Sequence, residues 1–135
     1  MSIVIQRDLS APMRHTVQIG QHRLVVDMSQ QEGGSDSGPN PHDLYDAALG
    51  ACKALTMLWY AQRKGIQLGD IRVDVTRDDS QESQGTYRLQ AEITLDETLD
   101  EATRQKLLAI ADRCPIHKLM TQVTTVIETL DGGHS

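Results

Sequence analysis

The chain has 135 residues, of which 39% are hydrophobic and 24% are charged, and its formal net charge is −6. This length predicts one domain over residues 1–135 with a modest core. The negative charge, the lack of a Lys/Arg cluster and the scarcity of aromatic side chains argue against nucleic-acid binding, because phosphates require a basic face. No apolar stretch approaches the roughly 18 residues of a membrane span, and no signal-peptide pattern opens the chain, so we expect a cytoplasmic protein without a membrane partner.

The N-terminal part of the chain predicts short β-strands. Residues 16–19 and 23–28 are β-branched or alternate in polarity, and the turn at residues 20–21 between them indicates a hairpin. Residues 3–6 predict a further edge strand. Residues 29–40 are rich in Gly, Ser and Pro and predict a loop.

A long helix is predicted over residues 41–64. Asn40 provides an N-cap, Pro41 suits the first helical position, Asp43 adds an acid to the first turn, and Gly65 stops the helix. An apolar stripe of mostly small residues indicates that another element packs close to this helix and buries it. The stripe consists of Leu44, Ala47, Ala48, Ala51, Leu55 and Leu58.

The C-terminal part predicts a second hairpin and further helices. Residues 71–77 and 87–95 alternate apolar and polar side chains around a turn-rich segment. Residues 100–113 predict a second helix, a short helical turn begins at Pro115, and residues 123–129 predict a last strand. Strands that flank a long helix without regular βαβ alternation indicate an α+β fold.

Cys52 and Cys114 are the only thiols of the chain. A structural disulfide is not expected in a reducing cytosol, so the pair is redox active, catalytic or inert. Cys114 precedes Pro115 at a helix start, where exposed N–H groups favour a thiolate. Three nearby side chains add positive charge there: Arg113, His117 and Lys118. The alternative is that Cys114 only fills space beside the turn.

Cys52 lies in mid-helix among apolar neighbours and receives no help from a helix terminus. Its ionisation therefore requires a cation from elsewhere, and Arg14 or Arg23 on the N-terminal strands could reach the helix face. The histidines show no paired-ligand spacing, so we expect neither a metal site nor another cofactor.

Two motifs together resemble one family. GPNPHDLYDAALGAC, followed about sixty residues later by CPIH, resembles the OsmC/Ohr family of osmotically induced and organic hydroperoxide resistance proteins, specifically its OsmC-like branch. The resemblance implies an intertwined homodimer of α+β subunits whose antiparallel sheets pack around long central helices. It also implies a thiol peroxidase for organic hydroperoxides, in which Cys52 reacts with peroxide and Cys114 resolves the sulfenic acid as a disulfide. A dithiol of the lipoyl type is the implied reductant.

The family also uses an Arg from the N-terminal strands and a Glu ten residues before the first Cys, where this chain has His42. We assign the acid to the adjacent Asp43 and the arginine to Arg14 rather than Arg23. Ten helical residues rise about 15 Å, so Asp43 is expected to act on Cys52 of the partner subunit. The alternative is that Asp43 serves only to cap its own helix.

Three functions are compatible with these features. The leading hypothesis is the thiol peroxidase. The second is a noncatalytic dimer that binds a small apolar ligand, which the missing acid at His42 favours. The third is a redox sensor whose Cys52–Cys114 disulfide changes a partner interaction.

Overall fold

A computed structural model describes residues 2–134, which divide into two compact units between Ala47 and Ala48. The single domain over residues 1–135 stays a prediction. Within the described residues, none of the helices combines the length and apolar character that a membrane crossing needs.

The first unit contains a three-stranded antiparallel sheet in the order β1-β2-β3. The strands are β1 (Ile3–Arg7), β2 (His15–Ile19) and β3 (His22–Val26). Gly20 has a φ of +59° in the turn between β2 and β3, a conformation that favours glycine. The predicted hairpin and edge strand are confirmed.

The loop after β3 is fastened by the buried carboxylate of Asp27. Its Oδ2 accepts hydrogen bonds from the hydroxyl of Ser37 and from the backbone N–H groups of Ser35 and Ser37. The hydrogen bonds from Ser37, with further ones from the backbone of Met28 and Ser35, lower the pKa of Asp27 to about 2. Residues 29–40 are thus a loop, as predicted, and it is anchored by an ionised side chain.

The long helix α1 (Pro41–Arg63) is continuous. The side-chain Oδ1 of Asn40 accepts a hydrogen bond from the backbone N–H of Asp43 at 2.8 Å, and Oδ2 of Asp43 accepts one from the N–H of Asn40 at 3.1 Å. This reciprocal capping satisfies two donors at the helix start. The predicted helix and its cap are confirmed.

The second unit consists of the C-terminal part of α1, one hairpin and two further helices. The strands β4 (Ile71–Asp78) and β5 (Arg88–Leu95) are antiparallel. Helix α2 (Glu101–Ala111) begins at Asp100, whose side chain accepts a hydrogen bond from the first turn, and helix α3 (Pro115–Thr121) follows. The predicted hairpin and both helices are confirmed.

The core of this unit lies where α1 meets α2. Met57, Ala61, Leu107 and Ala111 are fully buried. Partly buried side chains packed around them are Tyr60, Ile66, Leu68, Ile71, Val73, Ile93, Leu95 and Leu99. A Cβ atom at Gly50 would lie 2.8 Å from Cγ2 of Val75, so α1 approaches β4 more closely than a larger residue allows.

The predicted burial of the small-residue stripe on α1 is wrong for a single chain. Within the second unit, the buried positions of α1 lie on one side of the helix: Leu49, Gly50, Lys53, Met57 and Ala61. On the other side Leu55 is 65% exposed and Trp59 is 56% exposed. The described part of the second unit leaves this apolar face open to solvent.

The predicted last strand over residues 123–129 is also wrong. The segment has no regular secondary structure, and Val126 and Ile127 are 90% and 82% exposed. A strand needs a neighbour for its backbone hydrogen bonds, and no strand among residues 2–134 pairs with this segment.

Candidate functional site

Cys52 and Cys114 lie close together in the second unit, so that Cys52 raises the pKa of the Cys114 thiol. Cys52 lies on α1 and is half-buried, whereas Cys114 is fully buried. Both are free thiols. The structure therefore brings together the two residues that the sequence singled out, although they are distant along the chain.

Cys114 is the N-cap residue of α3. The backbone N–H of Cys114 donates to the carbonyl of Ala111 at 3.3 Å, which closes the turn after α2. Pro115 occupies the first helical position, and the backbone N–H of His117 donates to Sγ of Cys114 at 3.3 Å. The sulfur thus satisfies a donor at the helix start, as its position before a proline predicted.

Burial nevertheless dominates the ionisation of Cys114. Desolvation raises the pKa of its thiol, and the neighbouring Cys52 raises it further. The backbone N–H of His117 and the charge of Lys53 act in the opposite direction and lower it. The expectation that the helix start makes Cys114 a thiolate is wrong in its net effect, because the loss of solvent outweighs the helix terminus.

Cys52 faces an open cavity of about 930 Å³. The cavity walls are mostly apolar, and they include Ala51, Leu55, Leu58, Trp59, Ile110 and Pro115. One turn further along α1, Oγ1 of Thr56 lies 3.9 Å from Sγ of Cys52. This volume is in the range of small-molecule sites. A ligand in this cavity can reach the thiol of Cys52 but not the buried thiol of Cys114.

Arg14 is held by polar partners in the first unit. Its Nε donates to Oγ of Ser37 at 2.8 Å, and its Nη1 lies 3.3 Å from Oδ2 of Asp8. The hydroxyl of Ser37 in turn donates to the carboxylate of Asp27. Arg14 is therefore oriented by a chain of hydrogen bonds. Asp43, by contrast, caps α1 together with Asn40, which is the alternative role considered from the sequence.

Sequence reasoning missed Lys53, which is 4% exposed. Its Nζ lies 3.1 Å from the carbonyl oxygen of Ala111, 2.9 Å from Nδ1 of His117 and 3.8 Å from Oδ1 of Asp112. A signal was present, because Lys53 stands at helical spacing between the small residue Gly50 and the core residue Met57. A lysine on that face is a buried charge, and buried charges require partners.

Comparisons with known proteins agree with this architecture. A family model described as OsmC-like protein matches residues 34–129. No curated protein matched the chain. Among solved structures, an OsmC-like protein from Mycoplasma pneumoniae has a TM-score of 0.70 at 19% identity and covers 90% of this chain and 87% of its own.

Two further solved structures share the fold. A Psychrobacter arcticus 273-4 protein, provisionally described as an osmotic stress induced and detoxification response protein, has a TM-score of 0.74 at 19% identity over 87% of this chain and 86% of its own. The organic hydroperoxide resistance protein OhrB of Bacillus subtilis has a TM-score of 0.60 at 20% identity over 90% of each chain. The predicted α+β class and OsmC-like fold are confirmed. By the match of its residues 34–129 and by its architecture, the chain belongs to the family of OsmC-like proteins.

Proposed function

We propose that this protein is a thiol peroxidase that reduces organic hydroperoxides to alcohols, with Cys52 as the peroxidatic and Cys114 as the resolving cysteine. The observation that carries the proposal is the proximity of the only two thiols of the chain, one of them facing a cavity and the other fully buried behind it. A hydroperoxide that enters the cavity meets Cys52 first, because no surface of Cys114 is accessible.

The proposed reaction has three steps. The thiolate of Cys52 attacks the terminal peroxide oxygen, so that an S–O bond forms, the O–O bond breaks and the alkoxide takes a proton to leave as the alcohol. Cys114 then attacks the sulfenic acid, forms the disulfide and releases water. A dithiol reductant, for which we propose the lipoyl type, restores both thiols by exchange. Such reductants fit the cytoplasmic location that we also propose.

The cavity supports an organic rather than an inorganic peroxide. Its apolar walls favour an alkyl or aryl group by removing that group from water, whereas hydrogen peroxide has no such group to bury. The name of the Bacillus subtilis relative, an organic hydroperoxide resistance protein, points to the same substrate class.

We further propose that the working protein is a homodimer. The exposed face of α1 carries Leu55 and Trp59, which also form walls of the cavity, so the proposed dimer contact borders the cavity. The segment after α3 exposes Val126, Ile127 and Leu130. Exposed apolar side chains in such number favour association, and a second copy of the chain provides matching apolar surfaces by symmetry.

Arg14 and Asp43 complete the proposed site. Arg14 supplies the positive charge that the Cys52 thiolate requires, and its contacts with Ser37 and Asp8 keep the guanidinium ordered. Asp43 of the partner subunit orients this arginine.

Noncatalytic ligand binding is the second candidate function. His42 stands where the hydroperoxide resistance branch has its acid, and the cavity is large enough for a small apolar molecule. In that case Cys52 would be a wall of the binding site rather than a nucleophile.

Peroxide consumption distinguishes the two candidates. Cumene and tert-butyl hydroperoxide should be consumed catalytically with dihydrolipoamide and more slowly with thioredoxin or glutathione, and hydrogen peroxide should be the poorer oxidant. No consumption with any reductant, together with no sulfenic acid on Cys52, would reject the peroxidase and favour the binding protein.

A further inference from the structure

The ammonium group of Lys53 is enclosed by fixed acceptors. It donates to the carbonyl of Ala111, the last residue of α2, and it contacts the imidazole of His117 on α3. A lysine ammonium has three protons and no lone pair, so Nδ1 of His117 accepts in this contact and the imidazole carries its proton on Nε2.

The Lys53 ammonium pairs with a carboxylate at the surface. The carboxylate of Asp112 lies 3.8 Å away, but its side chain is 79% exposed and is therefore screened by water. The titratable and charged groups that contact Lys53 include His117 and Asp112, and those that act on Cys114 include Cys52, Lys53 and His117. Arg113 and Lys118 are the charged neighbours of Cys114 along the chain. An ammonium near a buried thiol favours the negative form of that thiol, and the charge of Lys53 lowers the pKa of Cys114 in this way.

We propose that Lys53 is a positioning residue for the resolving step, in which its ammonium, held by Ala111 and His117, stabilises the thiolate of Cys114 during attack on oxidised Cys52. The inference rests on the proposed peroxidase function for its place in the reaction. The stabilisation of the thiolate itself does not depend on that function and is measured separately.

The resolving step needs such a charge because Cys114 is fully buried. A buried neutral thiol is a poor nucleophile, since the thiolate is the reactive form. When the Cys114 thiolate attacks the sulfur of oxidised Cys52, the S–S bond forms and the S–O bond breaks. The departing hydroxide combines with the proton that Cys114 has lost, and water leaves.

Lys53 acts on Cys114 rather than on its neighbour in sequence. Successive residues of an α-helix point about 100° apart, so Lys53 lies on the core face of α1 while Cys52 faces the cavity. The backbone N–H of His117 binds the sulfur of Cys114 and the side chain of His117 binds Lys53, so one residue of α3 orders both groups.

Titration of Cys114 in a Cys52→Ser background tests the stabilisation. Thiolate absorbance in the ultraviolet, followed against pH, reports Cys114 alone. Lys53→Met keeps the buried alkyl chain without its charge and should shift the Cys114 titration to higher pH. Lys53→Arg keeps a positive charge and should leave the titration close to that of the protein with Lys53. Lys118→Met is the matched control, because it removes an exposed charge from α3 next to His117. It should leave the pH of the Cys114 titration unchanged.

Kinetics in the protein with both thiols test the role in resolution. After a pulse of cumene hydroperoxide, Lys53→Met should form the disulfide about tenfold more slowly at neutral pH and should accumulate trappable sulfenic acid on Cys52, because a nearby opposite charge favours the charged form of a thiol by about that much. An unchanged titration, or a shifted titration with an unchanged rate of disulfide formation, would overturn the inference.

A second pair of variants keeps the test decisive if Lys53→Met does not fold. His117→Leu removes the acceptor of the ammonium but leaves the backbone N–H that binds Cys114, and His117→Gln retains an acceptor. The leucine variant should shift the Cys114 titration upwards, and the glutamine variant should shift it less. Equal titrations in both would overturn the inference. If the protein does not react with peroxide at all, the proposed function fails, and the titration alone decides whether Lys53 stabilises the thiolate.

Discussion

The thiols of Cys52 and Cys114 lie close together although they come from different helices, Cys52 from α1 and Cys114 from the cap of α3, and Cys52 raises the pKa of the Cys114 thiol. A pair of neighbouring thiols is ready for oxidation to a disulfide, provided that the Cα atoms lie within about 7 Å.

One equivalent of organic hydroperoxide should therefore produce an intramolecular Cys52–Cys114 disulfide. Mass spectrometry of peptides from the non-reduced protein measures the linkage. Two free thiols, or only links between subunits, would contradict the two-cysteine mechanism.

The two cysteines should differ in their reaction with peroxide. Cys52→Ser should abolish peroxide consumption, because the buried Cys114 cannot be reached from the cavity. Cys114→Ser should allow one turnover and leave a sulfenic acid on Cys52, which dimedone traps. Equal trapping at Cys114 in the Cys52→Ser protein would reverse the assignment of roles.

The protein should be a homodimer at micromolar concentration. The apolar face of α1 around Leu55 and Trp59 is exposed in residues 2–134, so its association removes large apolar side chains from water. Sedimentation equilibrium measures the mass, and Trp59→Glu should weaken the dimer by placing a charge on this face. A folded monomer in the unsubstituted protein would contradict both the dimer and an Asp43 contributed by the partner subunit.

Arg14→Met should slow the attack of Cys52 on peroxide by about tenfold, because a charge that favours the thiolate is lost. Asp43→Asn should slow it less and should change stability little, because Asn can still accept a hydrogen bond at the helix start. The pH dependence of Cys52 alkylation in a Cys114→Ser background measures the thiolate, and Arg23→Met is the matched control. If Arg23→Met shifts this profile and Arg14→Met does not, Arg23 supplies the charge.

Asp27 should make the stability of the protein depend on pH in the acidic range. Hydrogen bonds, first of all from Ser37, lower its pKa from 3.8 to about 2. A lowered pKa in the folded state stabilises the protein above the unfolded value, and this contribution is lost as the pH falls from about 4 towards 2. Urea unfolding at a series of pH values should show this loss, and Asp27→Asn should be less stable at neutral pH with a flatter dependence. An identical slope in Asp27→Asn would assign the acid sensitivity to other carboxylates.

Most helices and strands could be predicted from local signals in the sequence. The cap at Asn40 and Pro41 determines where α1 begins, and alternating polarity determines β4 and β5, because these patterns depend on neighbouring residues alone. The prediction of a strand over residues 123–129 is wrong because strand formation does not depend on local sequence alone. Its β-branched composition is local, but a strand exists only where another strand pairs with it.

The sequence by itself determined the chemistry that is available: two thiols, one of them before a proline at a helix start, and an arginine on the early strands. Only the tertiary structure decided that the thiols lie close together, that burial outweighs the helix start in raising the pKa of Cys114, and that the buried charge near it belongs to Lys53. Local sequence determines a residue's backbone conformation and its position along a helix. Its solvation and its charged neighbours depend on residues brought together from distant parts of the chain, and these set the ionisation of a buried thiol.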